Sequence, residues 1–428
     1  MGGDCSYLDT LKSVRCPRPA RRQSDFCVFH EPDPARQVST ARFVKLLAVL
    51  DRNQDGNWRG FVFPRHFSTS TKDITKSDID LSFSNLGNFS LNNVTFAGKV
   101  RADNLVVSGD FISSAHFNWV RARNVEFQRT TRIGGSCSTS ADFNSCVFHG
   151  PVYVHGNWEG EFSLQGSRFL DFVEIRGGWN IYASVGAAKQ KPPTRNPLFR
   201  GQVTLQDIKF SHPSRVRFFS VSLEKTLFVG TDLIGAQFYD VIWPKFKDGR
   251  LGLYDEIHML TSSDPTYRVR DLSKLEAAYR NCRLALERNH DYSTATDFYV
   301  GEMNVRQIRR KNGQLGKNFI EDVYRVLSNY GASPARAFGI LLAFTAIHFG
   351  LNQLLICSAT EFTCSWMPSL SHFLDQAAGS VRVVTLQRLL SGPSDDIPGQ
   401  SLLDSVFAGL APVQIALVVL AIRSRIRR

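Results

Sequence analysis

The sequence predicts a β-solenoid followed by a helical region and two apolar helices that could cross a membrane. Three observations lead to this fold class. Apolar residues return every five positions along the middle of the chain, helical periodicity begins after residue 250, and two long uncharged segments lie near the end. With 428 residues, the chain is long enough for about one to three domains.

Residues 1–35 form a short basic leader with metal-ligand residue types. Cys5, Cys16, Cys27 and His30 follow the pattern Cys-x10-Cys-x10-Cys-x2-His. Three thiolates and one imidazole suit tetrahedral zinc, and so short a segment needs a bound metal to fold. A closed set of four protein ligands indicates structural rather than catalytic zinc. The alternative is a set of unpaired cysteines beside a surface histidine.

The tetrapeptide Cys-Val-Phe-His of the leader occurs again at residues 146–149. There the five-residue register explains Cys146 and Phe148 as core residues. The tetrapeptide alone therefore does not indicate a metal site, and the argument for zinc depends on Cys5 and Cys16.

Residues 36–60 are predicted to be a linker with one short helix. The pattern of residues 51–62 resembles a calcium-binding loop. Its twelfth position is Val62, however, and calcium binding requires a bidentate carboxylate at that position.

The five-residue register runs through residues 61–245. It is clearest over residues 216–243, where the expected core residues are Phe218, Leu223, Phe228, Leu233, Phe238 and Trp243. A helix has a period of 3.6 and a strand a period of 2, so neither explains it. An ordinary antiparallel β-protein is therefore the weaker alternative. Residues 177–199 are rich in Gly, Pro and Lys and are predicted to be an inserted loop.

The register resembles that of the pentapeptide-repeat family. The resemblance covers residues 61–245 and implies a right-handed quadrilateral β-helix in which four pentapeptides form one coil. Residues 79–243 would give about eight coils and a rod about 40 Å long at about 4.8 Å per coil. The related proteins are bacterial, and some have similar Cys-and-His leaders ahead of the repeats.

Enzymatic activity and nucleic-acid binding are not expected. A packed solenoid has no natural cleft, and the sequence has no nucleophile elbow, phosphate-binding loop, zinc-protease motif or dinucleotide fingerprint. Pentapeptide-repeat members that mimic DNA are acidic rods, whereas this chain has a net charge of +12. Much of that charge flanks the two apolar segments, where topology explains it.

Residues 250–335 are predicted to be a cytoplasmic helical collar, and residues 336–428 a transmembrane hairpin. The spans are residues 337–356 and 403–422, joined by an outer loop of residues 357–402 that contains a predicted helix at 372–390. Arg and Lys are concentrated before the first span and after the second. The positive-inside rule therefore places both termini in the cytoplasm, and the resemblance to bacterial proteins implies the inner membrane.

The hairpin carries polar residues of open function. His348, Asn352 and Gln353 could either hold helices together or line a pore. Cys357 and Cys364 could form a disulfide in an oxidising compartment or remain free. The order of span, loop helix and span resembles two-segment ion channels, but residues 391–400 lack the potassium-filter motif.

Two functions remain open at this point. The first is a membrane-anchored, oligomeric sensor or effector whose channel-like or membrane-perturbing hairpin is controlled by the cytoplasmic solenoid. The second is a non-conducting, membrane-tethered scaffold. In both, we expect an unidentified protein partner to bind the solenoid, because solenoids offer long repetitive faces.

Overall fold

The computed structural model describes residues 4–9, 13–69, 77–179, 195, 196, 198–261, 272–313, 316, 318–359, 378 and 400–426. The chain forms two compact units, Met1–His290 and Asp291–Arg428. The first unit contains the leader and the solenoid, and the second contains helices. The predicted loop helix at 372–390 lies outside the described residues except for residue 378.

The first unit is a parallel β-solenoid in which successive turns hydrogen-bond to one another along three ladders. The strands of the first ladder are His66–Thr69, Asn88–Leu91, Phe111–Ser113, Thr131–Ile133, Val152–Val154, Val173–Arg176, Val216–Phe219 and Gln237–Tyr239. Those of the second are Ile79–Asp80, Thr95–Arg101, His116–Arg121, Ser136–Asp142, Glu161–Ser163, Val203–Thr204 and Thr226–Leu227, with Asn157–Trp158 beside Ser136–Asp142. Those of the third are Asn85–Leu86, Val106–Val107, Glu126–Phe127, Val147–Phe148, Arg168–Phe169 and Lys209–Phe210.

The pairing register explains the five-residue period. Phe218 pairs with Phe238 on the next turn, and their separation in the sequence is a whole multiple of five. The same position of the repeat therefore returns to the same ladder after each such turn. The separation along the sequence is one residue longer for the paired residues Thr131 and Val152, and two residues longer for Phe89 and Phe111. These longer turns shift the register without breaking the stack.

The first ladder has eight strands, so the described chain makes about seven turns between the first and the last. The expectation of about eight coils was slightly too high. Val173 pairs with Val216 across roughly twice the usual length of sequence, because an insertion lies between the two strands. The described ends of the insertion, Gly178–Trp179 and Arg195–Asn196, pair as antiparallel strands.

Phenylalanine stacks fill the interior. Phe148 is fully buried and stacks on Phe127 at 4.8 Å and on Phe169 at 4.6 Å between ring centroids. Each such pair contributes about 0.5–1.5 kcal/mol beyond the burial of its area. Of the core residues expected from the sequence, those buried in the structure are Phe218, Leu223, Phe228, Leu233 and Trp243. Phe238 is half-buried and stacks on Phe218.

Helices precede and follow the strands of the solenoid in the sequence. Helix α1, Thr40–Arg52, precedes the first ladder strand and packs against it. After the last turn come α2, Tyr254–Thr261, and α3, Leu272–Arg288. The buried carboxylate of Asp255 in α2 accepts hydrogen bonds from the backbone N–H groups of Phe228 and Val229 at 2.9–3.0 Å. It thereby satisfies donors at the end of the stack, where no further turn follows.

A buried charge cluster supports this C-terminal end. Arg250 donates to both carboxylate oxygens of Glu256 at 2.9–3.0 Å, and the Tyr279 hydroxyl donates to the same carboxylate. The Tyr279 oxygen in turn accepts from the backbone N–H of Leu253 at 3.0 Å. Because these groups pair with one another, the cluster can remain buried and can fix α3 against the segment before α2.

The second unit contains α4, Tyr292–Lys311, α5, Phe319–Ser328, α6, Pro334–Ala359, and α7, Gln400–Ile426. Asp291 and Asn318 cap the first turns of α4 and α5 through their side chains. Helices α6 and α7 are long and apolar enough to cross a membrane, over Pro334–Asn352 and Ser405–Arg423. They pack against each other in antiparallel orientation, since the start of α6 meets the middle of α7 and the middle of α6 meets the start of α7.

Candidate metal centre

The leader begins with a β-hairpin that positions two cysteines. Leu8–Asp9 pairs antiparallel with Val14–Arg15, and the pairing continues outward, since Cys5 N–H donates to the Arg18 carbonyl at 3.1 Å and Cys16 N–H to that of Tyr7 at 2.9 Å. The described ends of the spacer between Cys5 and Cys16 therefore pair with each other as antiparallel strands. This explains a spacer that is longer than in common zinc fingers.

A tight turn supplies the other two ligand residues. The His30 N–H donates to the Cys27 carbonyl at 3.2 Å, and this turn brings Cys27 Sγ to 3.3 Å from His30 Nδ1. The Cys27 N–H also donates to Cys5 Sγ at 3.2 Å. This hydrogen bond to Cys5 Sγ therefore connects the turn to the segment that contains Cys5.

The four side chains converge as a tetrahedral site requires. Their ligand atoms all lie within 4.8 Å of one another, and all four residues are buried, at most 6% exposed. Cys16 Sγ and Cys27 Sγ are 3.9 Å apart, and Cys5 Sγ is 3.6 Å from His30 Nδ1. Zinc bonds of about 2.3 Å to sulfur and about 2.0 Å to nitrogen predict about 3.8 Å and about 3.6 Å for these separations. The cluster could therefore hold a metal ion.

Outer contacts orient the imidazole. His30 Nε2 lies 3.1 Å from the carbonyl oxygen of Arg59, and a carbonyl can only accept, so Nε2 carries the proton and Nδ1 is left for a metal. Such a partner on the second ring nitrogen is typical of metal-bound histidine. Tyr7 stacks on the His30 ring at 3.8 Å.

Arg59 also links the leader to the solenoid. It donates to Asp9 at 2.6 Å and to Asp80 at 3.1 Å; Asp9 belongs to the leader hairpin and Asp80 to the first strand of the second ladder. The backbone N–H of Val62 donates to the Phe29 carbonyl at 2.7 Å. The cluster therefore lies against the first turn of the solenoid.

Burial shifts the pKa values of Cys27 and His30. It raises the pKa of the Cys27 thiol to about 12, with smaller contributions from Cys16 and Cys5. It lowers the pKa of His30 to about 4, so the imidazole is neutral at physiological pH, as a metal ligand must be. A divalent cation would supply the positive charge needed to displace the thiol protons.

The second Cys-Val-Phe-His segment forms no such cluster among the described residues. Cys146 is buried in the core and its thiol donates to the Ala122 carbonyl at 3.1 Å. His149 is exposed and lies 3.0 Å from Glu126. The same four residues thus have different roles because only the leader brings two further cysteines beside them.

Two polar residues of the first apolar helix are buried, and His348 contacts the second helix. His348 is 1% exposed and Asn352 9% exposed, and the His348 ring contacts that of Phe407 at 5.0 Å between centroids. Sequence reasoning missed Gln414, whose buried Nε2 donates to the Ala337 carbonyl at 2.7 Å. Gln414 is a polar residue within an otherwise apolar segment, and this feature of the sequence could have identified it.

Some of the candidate site residues in the hairpin lie outside the part of the chain that the structure describes. The side chains of Gln353 and Cys357 and the whole of Cys364 lie outside the described residues. The predicted disulfide between Cys357 and Cys364 therefore stays a prediction.

The sequence matches no protein-family model, and no curated protein and no solved structure is significantly similar to it.

Proposed function

We propose that this chain is a membrane-tethered, non-conducting scaffold: its hairpin anchors it in the bilayer, and its solenoid binds a protein partner. The observation that carries the proposal is the position of the polar residues in the hairpin. His348, Asn352 and Gln414 are all buried, whereas a pore needs polar groups on a surface that water can reach.

The outer surface of the hairpin supports the same function. Large apolar side chains are exposed along both helices, namely those of Phe338, Leu342, Ile347, Leu351, Leu354, Val406, Leu410, Val413, Val419 and Leu420. In water such a surface would be unfavourable, whereas in lipid it is the expected exterior of a helix pair. The hydrogen bond from Gln414 to the Ala337 carbonyl contributes about 0.6–2 kcal/mol to the packing of the two helices.

The solenoid offers a face with the composition of a protein interface. On the outer side of the first ladder, Arg217 lies over Phe172 at 5.2 Å and Arg176 over Phe219 at 4.7 Å, and Phe219 stacks on Tyr239. Arginine and aromatic residues are enriched in protein interfaces. Glu174 pairs with Arg176 at 2.8 Å, which disfavours a phosphate backbone as the ligand.

The scaffold carries a structural zinc ion in this proposal. Three thiolates and one imidazole favour zinc over the oxygen-preferring cations, and the four protein ligands leave no position for a substrate. Zinc would hold residues 1–35 against the first turn of the solenoid, a segment whose described strands are each only two residues long.

The concentration of Arg and Lys outside the two spans supports an orientation with both termini in the cytoplasm. The resemblance to bacterial proteins makes the bacterial inner membrane the proposed location. The sensor or channel function, which requires a homo-oligomer because two helices cannot enclose a pore, is the competing hypothesis.

Two measurements on the full-length protein in vesicles test the proposal. Alkaline carbonate should leave the chain in the membrane; release into the supernatant would overturn membrane anchoring. Planar bilayers containing the inserted protein should show no discrete currents. Currents that change in a His348→Ala, Asn352→Ala double variant would instead support the channel.

A further inference from the structure

Helix α5 presents its apolar side outward. Phe319, Ile320, Val323, Val326 and Leu327 fall within an arc of about 120° when residues are placed about 100° apart. In a water-soluble protein this side would face the core. Here Phe319 is 79% exposed and Ile320 77%, and Val326 is exposed as well, whereas Val323 and Leu327 are half-buried.

The charged side of α5 is the one that faces protein. Glu321 pairs with Arg310 and Arg306 of α4. Arg325 donates to Gln307 at 2.7 Å, and the Gln307 amide lies 3.4 Å from Asp322. These contacts fix the rotation of α5 about its axis, so the exposure of its apolar side is a consequence of paired charges.

The apolar side of α5 lies close to the apolar helices. Residues 329–333 connect α5 to α6, and α5 packs against both α6 and α7. The exposed Phe338 and Leu342 of α6 follow within the next turns of chain. Lys311 and Arg336 are exposed on either side of α5 in the sequence, where cations would meet lipid phosphates.

We infer that α5 is an interfacial membrane helix, lying at the boundary of the headgroup and acyl regions with Phe319, Ile320 and Val326 inserted. This inference rests on the proposed function, because it requires α6 and α7 to span the bilayer. An amphipathic helix with aromatic and aliphatic residues on its exposed side and cations close by is the pattern of such segments. In α5 the cations flank the helix, because its own polar side carries Glu321, Asp322 and Arg325, which are engaged with α4. Anionic headgroups are the chemistry that Lys311 and Arg336 fit.

Photocrosslinking of the full-length protein tests the inference. p-Benzoylphenylalanine replaces Phe319 or, in a second variant, Val326, in vesicles of phosphatidylcholine with phosphatidylglycerol. The matched control replaces Val49, an exposed residue of α1 in the first unit. We expect phospholipid adducts, detected by mass spectrometry, to be at least about tenfold more abundant at positions 319 and 326 than at position 49.

Carbonate extraction of the same samples separates the two hypotheses. Release of the chain by carbonate means that the anchoring has failed, and the interfacial position of α5 fails with it. A chain that stays in the membrane but gives no more lipid adducts at positions 319 and 326 than at position 49 overturns the inference alone. Crosslinks from these positions to a second copy of the chain also overturn it and identify α5 as an oligomer contact.

Discussion

Replacing His30 with alanine should abolish binding of the proposed zinc ion and release the leader from the solenoid. The side chain supplies one of four ligand atoms, stacks on Tyr7 and donates to the Arg59 carbonyl. A site occupied at about 1,000 times its dissociation constant stabilises the folded form by about 4 kcal/mol. The lost hydrogen bond adds about 1 kcal/mol. A leader with such short strands cannot offset this loss.

The repeated tetrapeptide provides the matched control. His149→Ala removes a histidine from the same local sequence, but that side chain is exposed and its pair with Glu126 is open to solvent. Such pairs contribute less than about 1 kcal/mol. Zinc content should therefore remain at about one ion per chain in the wild type and in His149→Ala, and fall to near zero in His30→Ala.

Elemental mass spectrometry of the desalted protein measures the metal, and limited trypsin digestion reports the state of the leader. Arg15, Arg21, Arg22 and Arg36 lie in or beside it, so release should expose several new cleavage sites in His30→Ala and none in His149→Ala. The reasoning is refuted if His30→Ala keeps a full equivalent of zinc, or if wild-type protein prepared with zinc binds none.

Three further predictions concern stability, measured by urea unfolding in detergent. Phe148→Ala should cost about 3–5 kcal/mol because the ring is fully buried in a stack; an unchanged midpoint would contradict the stacked core. Burial raises the pKa of Asp255 to about 6, so the folded chain favours the neutral carboxyl and loses stability as pH rises from about 4 to above 6. Asp255→Asn lacks this loss, so its free energy of unfolding should rise by about 2 kcal/mol relative to the wild type between pH 4 and pH 7; a difference that stays constant with pH would argue against it. Asn352 Oδ1 is buried without a hydrogen-bond partner among the described residues, so Asn352→Leu should stabilise the helix pair by about 1–3 kcal/mol; destabilisation would show that the amide has a structural role.

The cluster of three cysteines and His30 was predictable because the ability to bind a metal depends on residue types. Cysteine and histidine are the side chains that zinc prefers. Residues 137–155 contain four such residues even closer together in the sequence, but there the five-residue register explains Cys146 as a core residue. The contacts around the cluster were not predictable. Arg59 is distant from His30 in the chain, and only the folding of residues 56–62 onto the first turn brings its carbonyl to the imidazole.

The hairpin shows the same division. Length and hydropathy indicated two helices, but the pairing of Gln414 with Ala337 depends on how the helices are rotated and aligned. Amphipathicity likewise gave α5 a polar and an apolar side. The contacts with α4 determined that the polar side faces protein.

The sequence by itself determined the solenoid, because every turn repeats the same local requirement, and an apolar residue must return each time the chain passes the interior. The tertiary structure decided what local repetition cannot express. It pairs Val173 with Val216 across the insertion, so that the stack continues beyond it. It also places the Asp255 carboxylate at the end of the stack, where it accepts backbone hydrogen bonds. It also assembled the cluster around His30. Each of these depends on atoms that are distant in the chain and become neighbours only when the turns are stacked.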